Sequence, residues 1–229
     1  MILEQIRGQL IVSCQALEDE PLYGSEIMAA MARAATMSGA GGIRANGPAD
    51  IRAIRAVTPL PIIGLSKVVT PGYDVYLTPT FGAAAEVAQA GADLVAIDAT
   101  ARLRPGPHSL PALIAKIKTE LKKPVLADCA TVDEAIAAVA AGADAVATTM
   151  AGYTEETKHV EAFSPRLVAA FVKAVPVPVI AEGRIWMPHE AAQAIEAGAH
   201  AVVVGTAITR PQEIARRFVL AVQAVSAGK

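Results

Sequence analysis

Cysteine is scarce in this chain: Cys14 and Cys129 are the two present among 229 residues. Two thiols do not make a disulfide framework, and there is no C-x-x-C pair to hold zinc. Both fall at predicted strand ends, where they read as small buried hydrophobes in a reducing cytosol. His108, His159, His189 and His200 show no metal spacing either, so no metal is expected. No apolar run reaches the roughly 18 residues of a membrane span. Residues 1–9, broken by Glu4 and Arg7, do not read as a signal peptide, so a cytoplasmic protein is expected. Basic blocks and basic-aromatic interleaving are absent too, and the net charge is −2, which argues against nucleic acid as a partner.

What is abundant is Ala, together with short Val/Ile runs. That balance suits Ala-rich helices packed on buried parallel strands, and the length suits one α/β domain spanning 1–229. Apolar runs bounded by turn residues predict strands at 10–14, 42–45, 61–67, 93–97, 124–127, 144–148, 178–181 and 201–204. Helical patterns lie between them, with Ser25, Ser109 and Thr131 as expected caps and Pro48, Pro165, Pro188 and Pro211 at helix starts. The helix after Ser109 is expected to run through Leu121, and a short extra strand is expected at 75–77. Ala-Gly-Ala-Asp at 90–93 and 141–144, and Ala-Gly-Ala-His at 197–200, mark junctions where Gly caps a helix and a Val-rich strand begins. Eight such units predict a closed (β/α)8 barrel, with an open doubly wound sheet as the weaker alternative.

The predicted strand ends carry Gln15, Arg44, Lys67, Asp98, Asp128, Thr148, Glu182 and Gly205. Charges at the ends of apolar strands are costly as core packing, and closure would gather them in one mouth. The last two strand loops, Glu182-Gly183-Arg184 and Gly205-Thr206, with Arg210 beyond, suit a phosphate: Gly admits close backbone approach and Arg adds a charge-assisted contact. A phosphorylated small molecule is the substrate class expected. Lys67 facing Glu182 suits proton abstraction beside a carbonyl. It suits equally a Schiff-base aldolase with Lys67 as nucleophile, and these residues do not separate the two. A non-catalytic phosphosugar binder has less need of the Lys67–Glu182 pair.

Several stretches resemble one bacterial family, the N-acetylmannosamine-6-phosphate 2-epimerases of sialic acid breakdown. They are Ser13-Cys14-Gln15-Ala16-Leu17 with Glu20-Pro21-Leu22, Gly42-Ile43-Arg44-Ala45-Asn46, Pro61-Ile62-Ile63-Gly64-Leu65-Ser66-Lys67, Asp98-Ala99-Thr100 on to Arg104-Pro105, and Ala127-Asp128 with Thr131. The most specific are Ala181-Glu182-Gly183-Arg184-Ile185 and Val204-Gly205-Thr206-Ala207-Ile208-Thr209-Arg210-Pro211. The resemblance covers almost the whole chain. It implies a barrel of the ribulose-phosphate-binding type and inversion at C2 of N-acetylmannosamine 6-phosphate to N-acetylglucosamine 6-phosphate, with no metal or organic cofactor. It implies Lys67 as the group moving the C2 proton and Glu182 as the second catalytic group. Gln15, Arg44 and Asp128 would hold the sugar, and Gly183, Arg184, Gly205, Thr206 and Arg210 the phosphate end.

One departure stands out. The family often has a second basic residue directly after the catalytic Lys; here that residue is Val68, so another cation, with Arg44 a candidate, has to lower the Lys67 pKa. The charged loop 152–164 reads either as a lid or as a solvated loop. An apolar last helix, 218–225, either buries a homodimer face or closes the barrel.

Overall fold

A computed structural model of the chain describes residues 2–226. Eight parallel strands pair in chain order and close, β1 (Leu10–Cys14) lying between β2 (Gly42–Asn46) and β8 (Ala201–Val204). The others are β3 (Ile62–Leu65), β4 (Leu94–Asp98), β5 (Val125–Asp128), β6 (Ala145–Ala147) and β7 (Val179–Glu182). The barrel is therefore formed and the open sheet is not.

Each strand is apolar on both faces because each face meets a core. Ile63 and Leu65 of β3 join Ile11, Leu126, Ile180 and Val203 inside the barrel, while Ile62 packs outward among residues of the helices. Gly64 faces the same helix layer; a Cβ there would sit 2.5 Å from that of Ala92, so the strand is glycine where helix and sheet approach closely.

The helical layer comprises α1 (Ile2–Gln5), α2 (Ser25–Met37), α3 (Pro48–Arg55), α4 (Phe81–Gln89), α5 (Leu110–Lys116), α6 (Val132–Ala140), α7 (Pro165–Ala174), α8 (Pro188–Glu196), α9 (Thr206–Thr209) and α10 (Pro211–Ser226). Thr131 caps α6 in a full capping box with Glu134. Ser25 does not cap α2: it lies in the first turn, Gly24 takes the cap position, and the Ser25 hydroxyl donates to Asp50 of α3 at 2.6 Å. Ser109 occupies the cap of α5 without a side-chain bond, and that helix gives way to a π turn over Ile117–Leu121 that ends at left-handed Lys122. The expected strand at 75–77 is reduced to one antiparallel bridge, Leu77 against Lys67.

The recurring Ala-Gly-Ala-Asp junction gains a physical reason. Asp93 accepts the N–H of Ile62 at the start of β3 and pairs with Arg55. Asp144 likewise accepts the N–H of Val125 at the start of β5, at 2.9 Å, and pairs with Lys118 at 2.7 Å. Each carboxylate ties a strand's first donor to the helix before it. The last helix does not close the barrel: α10 buries none of its residues, and Phe218 is 71% exposed.

Candidate active site

Strand parity selects the residues that reach the mouth. Side chains of a strand alternate between its two faces. Ile63 and Leu65 point inward, so Lys67 does too; Leu126 leads to Asp128, Ile180 to Glu182, and Ala145 and Ala147 to Thr149. Thr148 therefore turns away from the mouth, and its hydroxyl donates to the Glu182 carbonyl at 2.8 Å. Asp98 faces inward but is fully buried, bonded to Thr100 and paired with Arg102 at 2.7 Å. Neither lines the pocket, which corrects the expectation that all eight strand-end residues meet there.

That pocket, of about 300 Å³, opens at the carboxyl ends of the strands. Gln15, Arg44, Lys67, Glu182, Gly183, Arg184, Gly205, Thr206 and Arg210 all line it. Asp128 does not. It is fully buried behind Arg44, whose Nη1 and Nη2 donate to its two oxygens at 3.1 and 2.6 Å. Arg44 also lies 2.7 Å from Glu182 through Nη1. The Thr149 hydroxyl sits 2.6 Å from Asp128 Oδ1 and 3.1 Å from Glu182 Oε2. Residues of β2, β5 and β7, with Thr149 just beyond β6, thus form one polar network.

Lys67 is held by its backbone, whose N–H donates to Asn46 at 2.9 Å. The segment after it folds back: Val68 N–H donates to the Tyr76 carbonyl and Thr78 N–H to that of Ser66, which brings Tyr76 to the pocket wall. Burial, then the charges of Arg210 and Arg44, bring the Lys67 ammonium down to about 8. Arg44, the cation expected to act on Lys67, does so after burial and together with Arg210. Burial pushes the Glu182 carboxyl up to about 7, with Asp128 adding to the rise and Arg44 opposing it.

The side of the pocket where the sequence places a phosphate is built from two loops. Gly183 and Arg184 both take positive φ, 110° and 60°, which turns the chain sharply after β7. The Arg184 guanidinium donates to the Gly152 carbonyl at 3.1 Å and lies over the Tyr153 ring at 5.1 Å, so the 152–164 loop is fastened to it. After β8 the unexpected short helix α9 begins at Thr206. Arg210 enters the pocket beyond it and pairs with Glu20 at 2.6 Å; Gln212 donates to the other Glu20 oxygen at 3.1 Å.

Ser13, Tyr76, Thr149 and Tyr153 also line the pocket and were not expected from the sequence. Counting parity from Ala145 and Ala147 points to Thr149 rather than Thr148. Tyr76 carried no comparable signal, because an irregular loop delivers it. Both cysteines are free and buried, and burial pushes the Cys14 thiol up to about 12. Among the described residues, no three His, Cys, Asp or Glu side chains gather as a metal site would require, and no helix is long and apolar enough to cross a membrane.

Residues 28–224 match the family model described as "NanE: Putative N-acetylmannosamine-6-phosphate epimerase". Two relatives bear the name "Putative N-acetylmannosamine-6-phosphate 2-epimerase". The one from Caldanaerobacter subterraneus is 50% identical over 95% of this chain and 92% of its own, and the one from Thermosynechococcus vestitus 52% identical over 96% of each. A solved N-acetylmannosamine-6-phosphate 2-epimerase from Clostridium perfringens superposes with a TM-score of 0.93 at 43% identity, covering 96% of this chain and 95% of that one. A thiamine phosphate pyrophosphorylase from Pyrococcus furiosus, 15% identical with a TM-score of 0.60 over 91% of this chain and 90% of its own, shares the fold alone. With the barrel, the pocket and near full-length identity in agreement, the chain belongs to the NanE family of N-acetylmannosamine-6-phosphate epimerases.

Proposed function

We propose that this single catalytic domain inverts C2 of N-acetylmannosamine 6-phosphate, giving N-acetylglucosamine 6-phosphate in the breakdown of sialic acid and other amino sugars. The observation that carries the proposal is the placing of Lys67 and Glu182. They close β3 and β7, four strands apart in an eight-stranded barrel, so they stand on opposite walls of one pocket. A sugar between them presents one face of C2 to each.

The chemistry follows from charge. The C2 hydrogen is acidic only beside a carbonyl, so the open-chain aldehyde is the reacting form. Neutral Lys67 takes the C2 proton, and the bonding electrons move onto the carbonyl oxygen as an enolate. Arg44, held rigid by Asp128, supplies positive charge near that oxygen. Protonated Glu182 then delivers its proton to the other face of C2 as the carbonyl re-forms. Lys67 ends protonated and Glu182 ionised, with the same total number of protons. The reverse reaction begins from that form. Gln15 and Arg44 orient the sugar, and Asp128 contributes through Arg44. Gly183, Arg184, Gly205, Thr206 and Arg210 receive the phosphate.

A cytoplasmic location suits the two unpaired, buried cysteines. The partner is a second copy of the chain. Phe218, Leu220, Val222 and Val225 of α10 lie exposed. An apolar groove of about 470 Å³, lined in part by Leu10, Met187, Ile195 and Ile208, lacks a covering helix. A homodimer in which these surfaces are buried removes both from water.

Proton NMR of N-acetylmannosamine 6-phosphate incubated with the protein in D2O tests the reaction. Two opposed groups predict N-acetylglucosamine 6-phosphate carrying deuterium at C2 from the first turnovers. Product without deuterium would mean that a single shielded base returns the same proton. Absence of product, with a borohydride-trapped adduct on Lys67, would move the assignment to a Schiff-base aldolase.

A further inference from the structure

Glu20 takes no part in the roles above. It belongs to the Glu20-Pro21-Leu22 stretch between β1 and α2, and it stands outside the pocket, behind a residue that lines it. Three donors converge on its carboxylate. Oε1 accepts from Arg210 Nη2 at 2.6 Å and from the Leu17 N–H at 3.3 Å, and Oε2 accepts from Gln212 Nε2 at 3.1 Å. Two turns set its backbone: Glu20 N–H donates to the Leu17 carbonyl at 2.9 Å, and Tyr23 N–H to the Glu20 carbonyl at 3.0 Å. The side chain is only 14% exposed. Arg210 needs such a hold. It shares the pocket with Lys67 and Arg44, so like charge pushes its guanidinium out toward solvent. Glu20 is its one side-chain partner among the described residues. A guanidinium has five N–H donors, and Glu20 engages it through Nη2 alone. None of the other Arg210 nitrogens is buried without a partner, so they open onto the pocket that Arg210 lines.

We propose that Glu20 is a positioning residue: it pins one edge of the Arg210 guanidinium, so that the remaining N–H groups are aimed at the phosphate before it arrives. This role rests on the epimerase reading, which puts the phosphate at Arg210. The phosphate then shares Arg210 with Glu20 and does not displace it. Displacement would leave a mostly buried carboxylate with only the Leu17 N–H and Gln212 as partners, whereas sharing keeps every bond. The arrangement repeats that of Asp128, which stands outside the pocket behind Arg44. Fixing a long side chain in advance removes an entropy cost from binding.

Calorimetry of N-acetylglucosamine 6-phosphate binding to the whole protein, with kinetics beside it, tests the role. Glu20→Ala should weaken binding by about 3- to 10-fold, the worth of one long side chain fixed beforehand, and raise KM by the same factor with kcat nearly unchanged. Glu20→Asp keeps the charge but falls one methylene short of Arg210, so it should lose as much; it also serves if the Ala variant fails to fold. Glu20→Gln keeps an oxygen for Arg210. A flip of the Gln212 amide then offers the new NH2 group its Oε1, which is buried without a partner. The Gln variant should bind at least as tightly as wild type. In an Arg210→Ala background, Glu20→Ala should cost nothing further. Additive losses in that cycle, a Gln variant as weak as the Ala variant, or Ala and Asp variants that bind as well as wild type would each overturn the proposal. Wild-type protein that does not bind the phosphosugar would sink the epimerase reading and this role with it. Failure confined to the variants leaves that reading standing.

Discussion

The guanidinium of Arg44 lies against the carboxylate of Asp128 through two hydrogen bonds, 3.1 and 2.6 Å long, and neither side chain is more than 1% exposed. A pair so buried is weakly stabilising as a whole, yet costly to break from one side. Asp128→Ala leaves the Arg44 charge with Glu182 alone, and should destabilise the fold by about 3–5 kcal/mol. Urea unfolding checks the magnitude. Replacing both partners, Arg44→Met with Asp128→Leu, should recover most of that loss while activity stays absent.

The pH profile follows from Lys67 at about 8 and Glu182 at about 7. The reacting form carries one proton between the two groups. kcat/KM should therefore rise through about pH 7, as the doubly protonated site loses a proton, and fall through about 8, as the second leaves. Glu182→Gln cannot lose its proton, so its residual activity should climb once, at or below about pH 8, and then stay level. A retained alkaline flank in that variant would assign the flank to another group.

Lys67 should weaken the fold that holds it. Its folded-state pKa is depressed from the ordinary 10.5 to about 8, chiefly by burial, so the native state is disfavoured while the side chain is charged. The penalty is in full force below about pH 8 and fades as the pH rises toward 10.5, where the unfolded chain is neutral as well. Lys67→Met removes it. The variant should be inactive but more stable by on the order of 2 kcal/mol at pH 7, raising Tm by about 4–8 °C. Thermal scans at pH 7 and pH 10 check it: the gain should shrink at the higher pH.

Arg210 pairs with Glu20 at 2.6 Å at the rim of the pocket, so a phosphate must share or displace that partner. Arg210→Ala should cut kcat/KM for the phosphosugar by about 10- to 100-fold, the worth of a charge-assisted hydrogen bond. Any turnover of the unphosphorylated sugar should fall less, only as far as the loss of the Arg210 charge lets the Lys67 ammonium rise. Equal losses on both substrates would place Arg210 at the sugar rather than the phosphate.

The exposed apolar face of α10 makes oligomeric state measurable. Light scattering should give the mass of two chains. Phe218→Glu with Val222→Glu, both on solvent-facing positions of the isolated chain, should shift the mass toward one chain. A wild-type protein of single-chain mass would overturn the homodimer.

Much of the barrel was legible in the order of residues. Val/Ile runs of four or five between Gly, Pro and Asp have few alternatives to a strand buried on both faces, and the starts and ends of β1 and β8 fall where the runs do. Gly183 and Gly205 marked the two loops at the pocket mouth: Gly183 takes a positive φ that other residues resist, and a Cβ on Gly205 would come within 3.2 Å of that of Ser13. Local bonding was less legible. Ser25 precedes a helical run as a cap would, but Asp50 is near enough in space to take its hydroxyl instead. Thr148 looked like a strand-end group by position, and parity alone turned it away in favour of Thr149.

The residues of the chain carry the chemistry in their own identities: Lys67 and Glu182 after apolar runs, Arg44 and Asp128 on two others, glycines where the loops turn. Their ionisation belongs to the folded molecule. Lys67 is brought down by Arg210, which lies 143 positions away, as well as by burial and Arg44. Glu182 is raised because closure of the barrel removes water and sets Asp128 near it. Such fields depend on distance in space and on the local dielectric, and neither has a counterpart in the linear order of residues.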